Sequence, residues 1–176
     1  MKSLFLLLFT FSISISAYAQ KFGYIDTQVI MDQMPEYQEA QKMLDEFASE
    51  WKQEIKDRRK KIDDMEREYL QDEILLTEEM KEERLAEIAT VKDELYKYQN
   101  NAFGYEGLLF LKRQELVKPI QDQIAKAAET VCKKKKLQFL FDKSADLIMI
   151  YSDPKHNYTD FVLEELDLGD PEDTTK

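Results

Sequence analysis

The fold turns on the stretch Leu44-Asp45-Glu46-Phe47-Ala48-Ser49-Glu50-Trp51-Lys52-Gln53-Glu54-Ile55. Its apolar residues recur at steps of three and four, and almost everything between them is charged or polar. That spacing predicts a helix with one narrow apolar seam. Read outward, the seam continues through Ile62, Met65, Tyr69 and Leu76, with Arg58 in the slot between Ile55 and Ile62 where an apolar residue would be expected. A helix from Glu36 to about Leu75 would run roughly 60 Å. The pattern breaks at Ile74-Leu75-Leu76, three adjacent apolar residues that do not fit a thin seam. Thr77 follows as a good N-cap, with Glu78 and Glu79 suited to a helix start. A hairpin tip is therefore expected at 72–78.

A second stripe returns through Leu85, Ile88, Val91, Leu95, Tyr98, Ala102, Tyr105 and Leu109, then Leu116, Ile120, Ile124, Ala127 and Val131. Gly104, Gly107 and Pro119 lie within it, so the returning helix is expected to bend between 104 and 119. Residues 36–136 thus read as a coiled-coil hairpin arm. The run Lys133-Lys134-Lys135-Lys136 closes it, which suits the carbonyl end of a helix better than a polyanion site.

Both ends of the chain change character. Phe22-Gly23-Tyr24-Ile25-Asp26 reads as a strand, Thr27–Asp32 as a short helix, and Pro35 as the opening of the long one. Leu137–Asp142 and Asp146–Tyr151 read as two strands of a hairpin. Asn157-Tyr158-Thr159-Asp160 reads as the cap of a last helix from Phe161 to Leu166. The predicted fold class is mostly α with a small β body: a long helical hairpin on a base formed by residues 20–35 and 137–168, with an acidic disordered tail from 169 to 176. A base of about 50 residues is marginal alone. Its strands are apolar almost continuously. Tyr24, Ile25, Phe139, Leu140, Phe141, Leu147, Ile148 and Ile150 are accordingly the candidate oligomerisation residues.

The first nineteen residues carry Lys2, the apolar run Leu4–Phe9 and the small-x-small pattern Ala17-Tyr18-Ala19, the pattern of a secretory signal peptide cut near Ala19. Ser12, Ser14 and Ser16 interrupt the apolar stretch and argue against a spanning helix. Cys132 is the single cysteine, so an intrachain disulfide is impossible. It reads as a small, partly buried residue.

Charged residues make up 35% of the chain and the net charge is −11, which fits solvated helices. Residues 36–75 carry −5, residues 77–136 carry +1 and residues 137–176 carry −7. That balance argues against nucleic acid as a partner and against attraction to acidic lipid. His156 is the only histidine. No zinc spacing, phosphate loop or nucleophile elbow is present, so the reading is of a non-enzyme with no catalytic, metal or cofactor residues. The signal lies instead in apolar residues beyond the seam: Tyr37, Met43, Leu70, Ile74, Leu75, Met80, Tyr96, Phe103, Phe110 and Leu111. Core packing is the ordinary fate of each, yet two helices cannot bury all of them in one thin stripe. Leu75, Leu76, Met80, Tyr69, Tyr96 and Phe103 are the candidate client-binding residues.

The ordered set of features resembles the Skp-like, or OmpH, family of periplasmic chaperones. The resemblance rests on Phe22-Gly23-Tyr24-Ile25-Asp26-Thr27-Gln28, Met34-Pro35-Glu36-Tyr37, Leu116-Val117-Lys118-Pro119-Ile120, the stretch from Leu137 to Ile148, and Tyr158–Leu163. It implies a homotrimer whose β body bears three helical hairpins around a cavity. It also implies ATP-independent capture of unfolded outer-membrane proteins in the periplasm, with no cofactor. One departure is charge. The best-known members are basic and this chain is acidic, which argues against carrying over binding to lipopolysaccharide or acidic lipid. The competing reading is a structural or adaptor coiled coil of the envelope with specific folded partners.

Overall fold

Pro35 cannot donate a backbone hydrogen bond, and position one of a helix needs none, so the long helix opens there on the extended backbone of Met34. In the computed structural model, which describes residues 20–145 and 149–169, the order is β1 (Phe22–Ile25), α1 (Thr27–Gln33), α2 (Pro35–Asp72), α3 (Glu78–Phe103), α4 (Leu108–Lys135), β2 (Phe139–Asp142) and α5 (Thr159–Glu165). Short 3-10 turns stand at Glu73–Leu75 and Pro154–His156. The fold class is the predicted one, mostly helical with a small β body. The chain divides into two units, residues 1–27 with 126–176, and residues 28–125.

The helical unit is built on α2 and α3. The turn between them ends at Thr77, whose hydroxyl accepts the Met80 amide at 3.3 Å and satisfies one orphan donor of α3. Trp51 faces Phe103, Arg58 faces Tyr98 and Glu66 pairs with Lys92. Advancing along α2 thus means retreating along α3, so the pair is antiparallel. Its seam is thin. Along α2 only Ala40, Leu44 and Ile62 are buried, and along α3 only Ile88, Leu95 and Ala102.

The returning segment differs from the single bent helix expected. It is two helices, parted at Gly104–Gly107. A Cβ at Gly104 would collide with the Asn100 carbonyl, which accepts the Gly104 amide at 2.8 Å. Glu106 then takes a left-handed φ of 54°, which ends any helical continuation. Pro119, by contrast, leaves α4 uninterrupted from Leu108 to Lys135. It removes one hydrogen bond, while buried Val117, Ile120 and Ile124 hold that stretch of the helix in place.

In the terminal unit the expected β-hairpin is corrected. β2 pairs with β1, in parallel, with Phe22 opposite Phe139 and Tyr24 opposite Phe141. Backbone bonds from Gln138 to Lys21 and from Lys143 to Ile25 extend the ladder at both ends. Residues 146–148 of the expected second strand lie outside the described residues, and Met149–Tyr151 is not a strand. This partner stands more than a hundred residues away in sequence, as parallel pairing with a long crossover allows. Gly23 is required here. A Cβ would enter the ring of Tyr158, which is buried beside it. α5 starts two residues earlier than expected because Asn157 Oδ1 accepts the Thr159 amide at 3.0 Å. Tyr24, Ile25, Ala127, Val131, Val162 and Leu163 form the core of this unit. The expected signal peptide, residues 1–19, lies outside the described residues, as does the tail from 170 to 176.

Candidate functional site

The seam of the hairpin is closed by aromatic and charged side chains as much as by aliphatic ones. Phe47 stacks on Trp51 at 5.8 Å between ring centres, and Trp51 meets Phe103 edge to face at 6.1 Å. Arg58, in the slot where an apolar residue was expected, lies 4.6 Å from the centre of the Tyr98 ring and donates to Glu54 at 2.7 Å. Such aromatic pairs and exposed cation–π contacts each contribute on the order of 0.5–1 kcal/mol. The Trp51–Phe103 and Arg58–Tyr98 contacts join the two helices beside the thin buried seam. Nearer the turn the stripe departs from its expected line, since Leu85 is exposed. Lys81 and Arg84 occupy the helical positions leading back from Ile88, and Arg84 lines a groove with Met65, Glu68, Tyr69, Asp72, Leu76, Met80 and Ile88. Lys81 is held protonated above its ordinary range, first by its hydrogen bond to Glu78.

The apolar residues beyond the seam remain largely open to solvent. Nine of the ten singled out in the sequence are exposed in the chain; only Tyr37 is half-buried. At the turn Ile74 is 92% and Leu75 82% exposed, with Leu70 and Met80 beside them. Of the candidate client-binding residues, Leu75, Met80, Tyr96 and Phe103 are exposed, whereas Tyr69 and Leu76 are half-buried in the groove at the turn. Tyr105 was read as part of the stripe but is 95% exposed, because α3 ends two residues before it.

The candidate oligomerisation residues separate into two sets. Tyr24 and Ile25 are buried within their own unit. Phe139, Phe141 and Ile150 are exposed and Leu140 is half-buried, while Leu147 and Ile148 lie outside the described residues. Phe22, Tyr24, Phe141, Met149, Tyr151 and His156 line a cleft of about 490 Å³, within which Phe22 stacks on His156 at 5.0 Å. The basic run is engaged inside this unit. Lys133 pairs with Glu129, Lys134 with Glu165, and Lys135 Nζ sits 3.6 Å from the centre of the Phe161 ring. Lys136 has a left-handed φ of 58°, and the Leu137 amide reaches back to the Cys132 carbonyl at 2.9 Å, which closes α4. The Cys132 thiol is pushed up from its ordinary value by burial and by the Glu129 carboxylate, so it stays protonated at neutral pH. Among the described residues no group of three His, Cys, Asp or Glu converges as a metal site. Among the same residues no helix is long and apolar enough to cross a membrane.

The family described as outer membrane protein (OmpH-like) matches residues 21–166, nearly the whole described chain. The chain belongs to the OmpH-like family. An uncharacterized protein of Aquifex aeolicus (strain VF5) is 31% identical to it over 151 residues, which cover 86% of this chain and 88% of that protein.

One property of this OmpH-like chain escapes a residue-by-residue search of its sequence. Residues 63–87, the turn and the helix ends on both sides, hold eleven acids against three bases, a net charge of −8. Residues 36–62 and 88–125 are each neutral. Dividing the arm at its turn splits this charge between the two halves and hides it. Folding the hairpin at 73–77 brings the halves together.

Proposed function

We propose that this OmpH-like chain is an ATP-independent holdase for unfolded outer-membrane or other exported proteins in the periplasm. Membership of the family suggests a chaperone-like function there. The observation that carries the finer reading is the set of exposed apolar side chains along α2, α3 and the turn, dispersed among charges. Apolar side chains that stay exposed add little to the stability of the fold, and they suit weak, adaptable contact with unfolded segments. Leu75, Leu76, Met80, Tyr69, Tyr96 and Phe103 are the proposed contact residues. Self-association through the terminal unit, as a homotrimer, is part of the same reading. Its support is exposed Phe139, Phe141 and Ile150, which one chain leaves uncovered. Light scattering gives the mass, and a monomer or dimer would contradict the trimer.

The direct experiment is dilution of a denatured outer-membrane protein into buffer without nucleotide. The chain at stoichiometric excess is expected to suppress its aggregation. Replacing Leu75, Leu76 and Met80 with Ser is expected to weaken client retention while leaving the oligomer intact. Failure of the unaltered chain to suppress aggregation would contradict the reading. Capture of one folded partner in place of varied unfolded ones would favour an adaptor coiled coil.

A further inference from the structure

The acids of residues 63–87 are not accounted for by the hairpin's own stability. All three bases there are taken by neighbours: Arg67 by Asp64, Lys81 by Glu78 and Arg84 by Glu87. Glu66 pairs with Lys92. The other seven acids make no ion pair among the described residues. Glu78 and Glu79 favour the start of α3, but Glu68 and Asp72 stand at the carbonyl end of α2, where negative charge opposes the helix dipole and no base lies in the last turn. Like charges also face each other four residues apart, as Glu68 and Asp72 do, and Glu79 and Glu83. These placements cost helix stability, and they surround the exposed Leu70, Ile74, Leu75 and Met80.

An apolar patch within an uncompensated negative field fits one occupant better than others. A second copy of the same turn carries the same −8 and is repelled. Segments with Asp or Glu beside their apolar residues are disfavoured likewise. Segments with Lys or Arg beside apolar residues gain on both counts, since the patch removes apolar surface from water and the acids meet the cations. We infer that the hairpin turn selects, among unfolded segments, those in which Lys or Arg flank apolar residues, and that its acids set this preference. The inference rests on the holdase reading and adds the chemistry of the segment held. The preference acts locally, because at physiological salt the field decays over about 8 Å.

The test uses the full chain and two fluorescent unstructured peptides with identical apolar residues, one flanked by Lys and the other by Glu. Anisotropy is expected to show the Lys peptide bound at least about tenfold more tightly at low salt. That gap should largely close at about 1 M salt, where the screening length falls to about 3 Å. A variant with Glu68→Gln, Asp72→Asn, Glu82→Gln and Glu83→Gln halves the net charge of this stretch and should narrow the gap clearly with its helicity and mass unchanged, while still binding apolar segments. Equal binding of the two peptides by the unaltered chain, or a gap undiminished in the variant, would overturn the inference. If neither peptide binds but a denatured outer-membrane protein is still held, this inference falls and the holdase reading stands; if neither peptide nor protein is held, both fall.

Discussion

The two units of this chain differ in degree: both make ion pairs and both leave apolar side chains open, but the helical unit leaves more of them. In the terminal unit polar and charged groups are fastened to one another. Asp142 accepts from Thr27 and Ser144, Thr159 accepts from Asp26, and the lysines at the end of α4 lie on Glu129, Glu165 and Phe161. In the helical unit a thin seam joins two long helices, and the larger share of the remaining apolar surface faces water. The difference teaches where the sequence is under folding constraint and where it is free for another task. Nothing in the fold requires Ile74 or Leu75 to be apolar, since neither is covered by its own chain.

The sharpest way to break this contrast is truncation of one leucine in each unit. Leu163→Ala empties a buried position in the terminal unit and should cost about 2–5 kcal/mol, read as a fall in the denaturant midpoint. Leu75→Ala should move stability by no more than about 0.5 kcal/mol. Equal costs would mean that Leu75 is covered in the folded protein.

Gly23→Ala comes next. The added methyl group meets the Tyr158 ring in the best-packed part of the terminal unit, and a cost of about 1–3 kcal/mol is expected in chemical denaturation. Asp142 offers a comparable effect with a pH signature. Burial alone would raise its carboxyl, but the hydrogen bonds from Thr27 and Ser144 outweigh burial and hold it below its ordinary value. A depressed carboxyl contributes stability above the unfolded value, about pH 3.9, and loses that contribution as pH falls through the folded value. Asp142→Asn should therefore cost about 1–2 kcal/mol at neutral pH, with the gap to the unaltered chain narrowing in acid. A gap independent of pH would remove Asp142 from this account.

How much of this was legible in the sequence follows the range of each interaction. The antiparallel helix pair, the Thr77 cap and the Pro35 start are written in residues within a few positions of one another, and local spacing finds them. The parallel pairing of Phe22–Ile25 with Phe139–Asp142 is not local, and the adjacent apolar run at 146–151 offered a nearer partner. The break at Gly104–Gly107 was visible as two glycines, but Pro119 drew part of the bend to the wrong place. Exposure of Leu75, Met80 and Tyr96 followed from a count of apolar residues against one seam. The concentrated charge at the turn needed the two helix ends to be brought side by side.

A more local effect is expected at the N-cap of α3. Thr77→Ala removes the acceptor for the Met80 amide and should cost about 1 kcal/mol, confined to the first turn of α3. Hydrogen exchange would show faster exchange there and unchanged protection in α5. Loss of protection in both would mean that the units unfold as one.

The central claim is that unfolded clients are held by the exposed apolar residues of the hairpin. Its most direct test places a photoreactive side chain at Leu75 and, in a separate variant, at Phe22, which is also exposed but belongs to the terminal unit. Each variant is then irradiated with a denatured outer-membrane protein bound. Strong cross-linking to the client is expected from position 75 and little from position 22. Cross-linking chiefly from position 22, with position 75 silent, would contradict it.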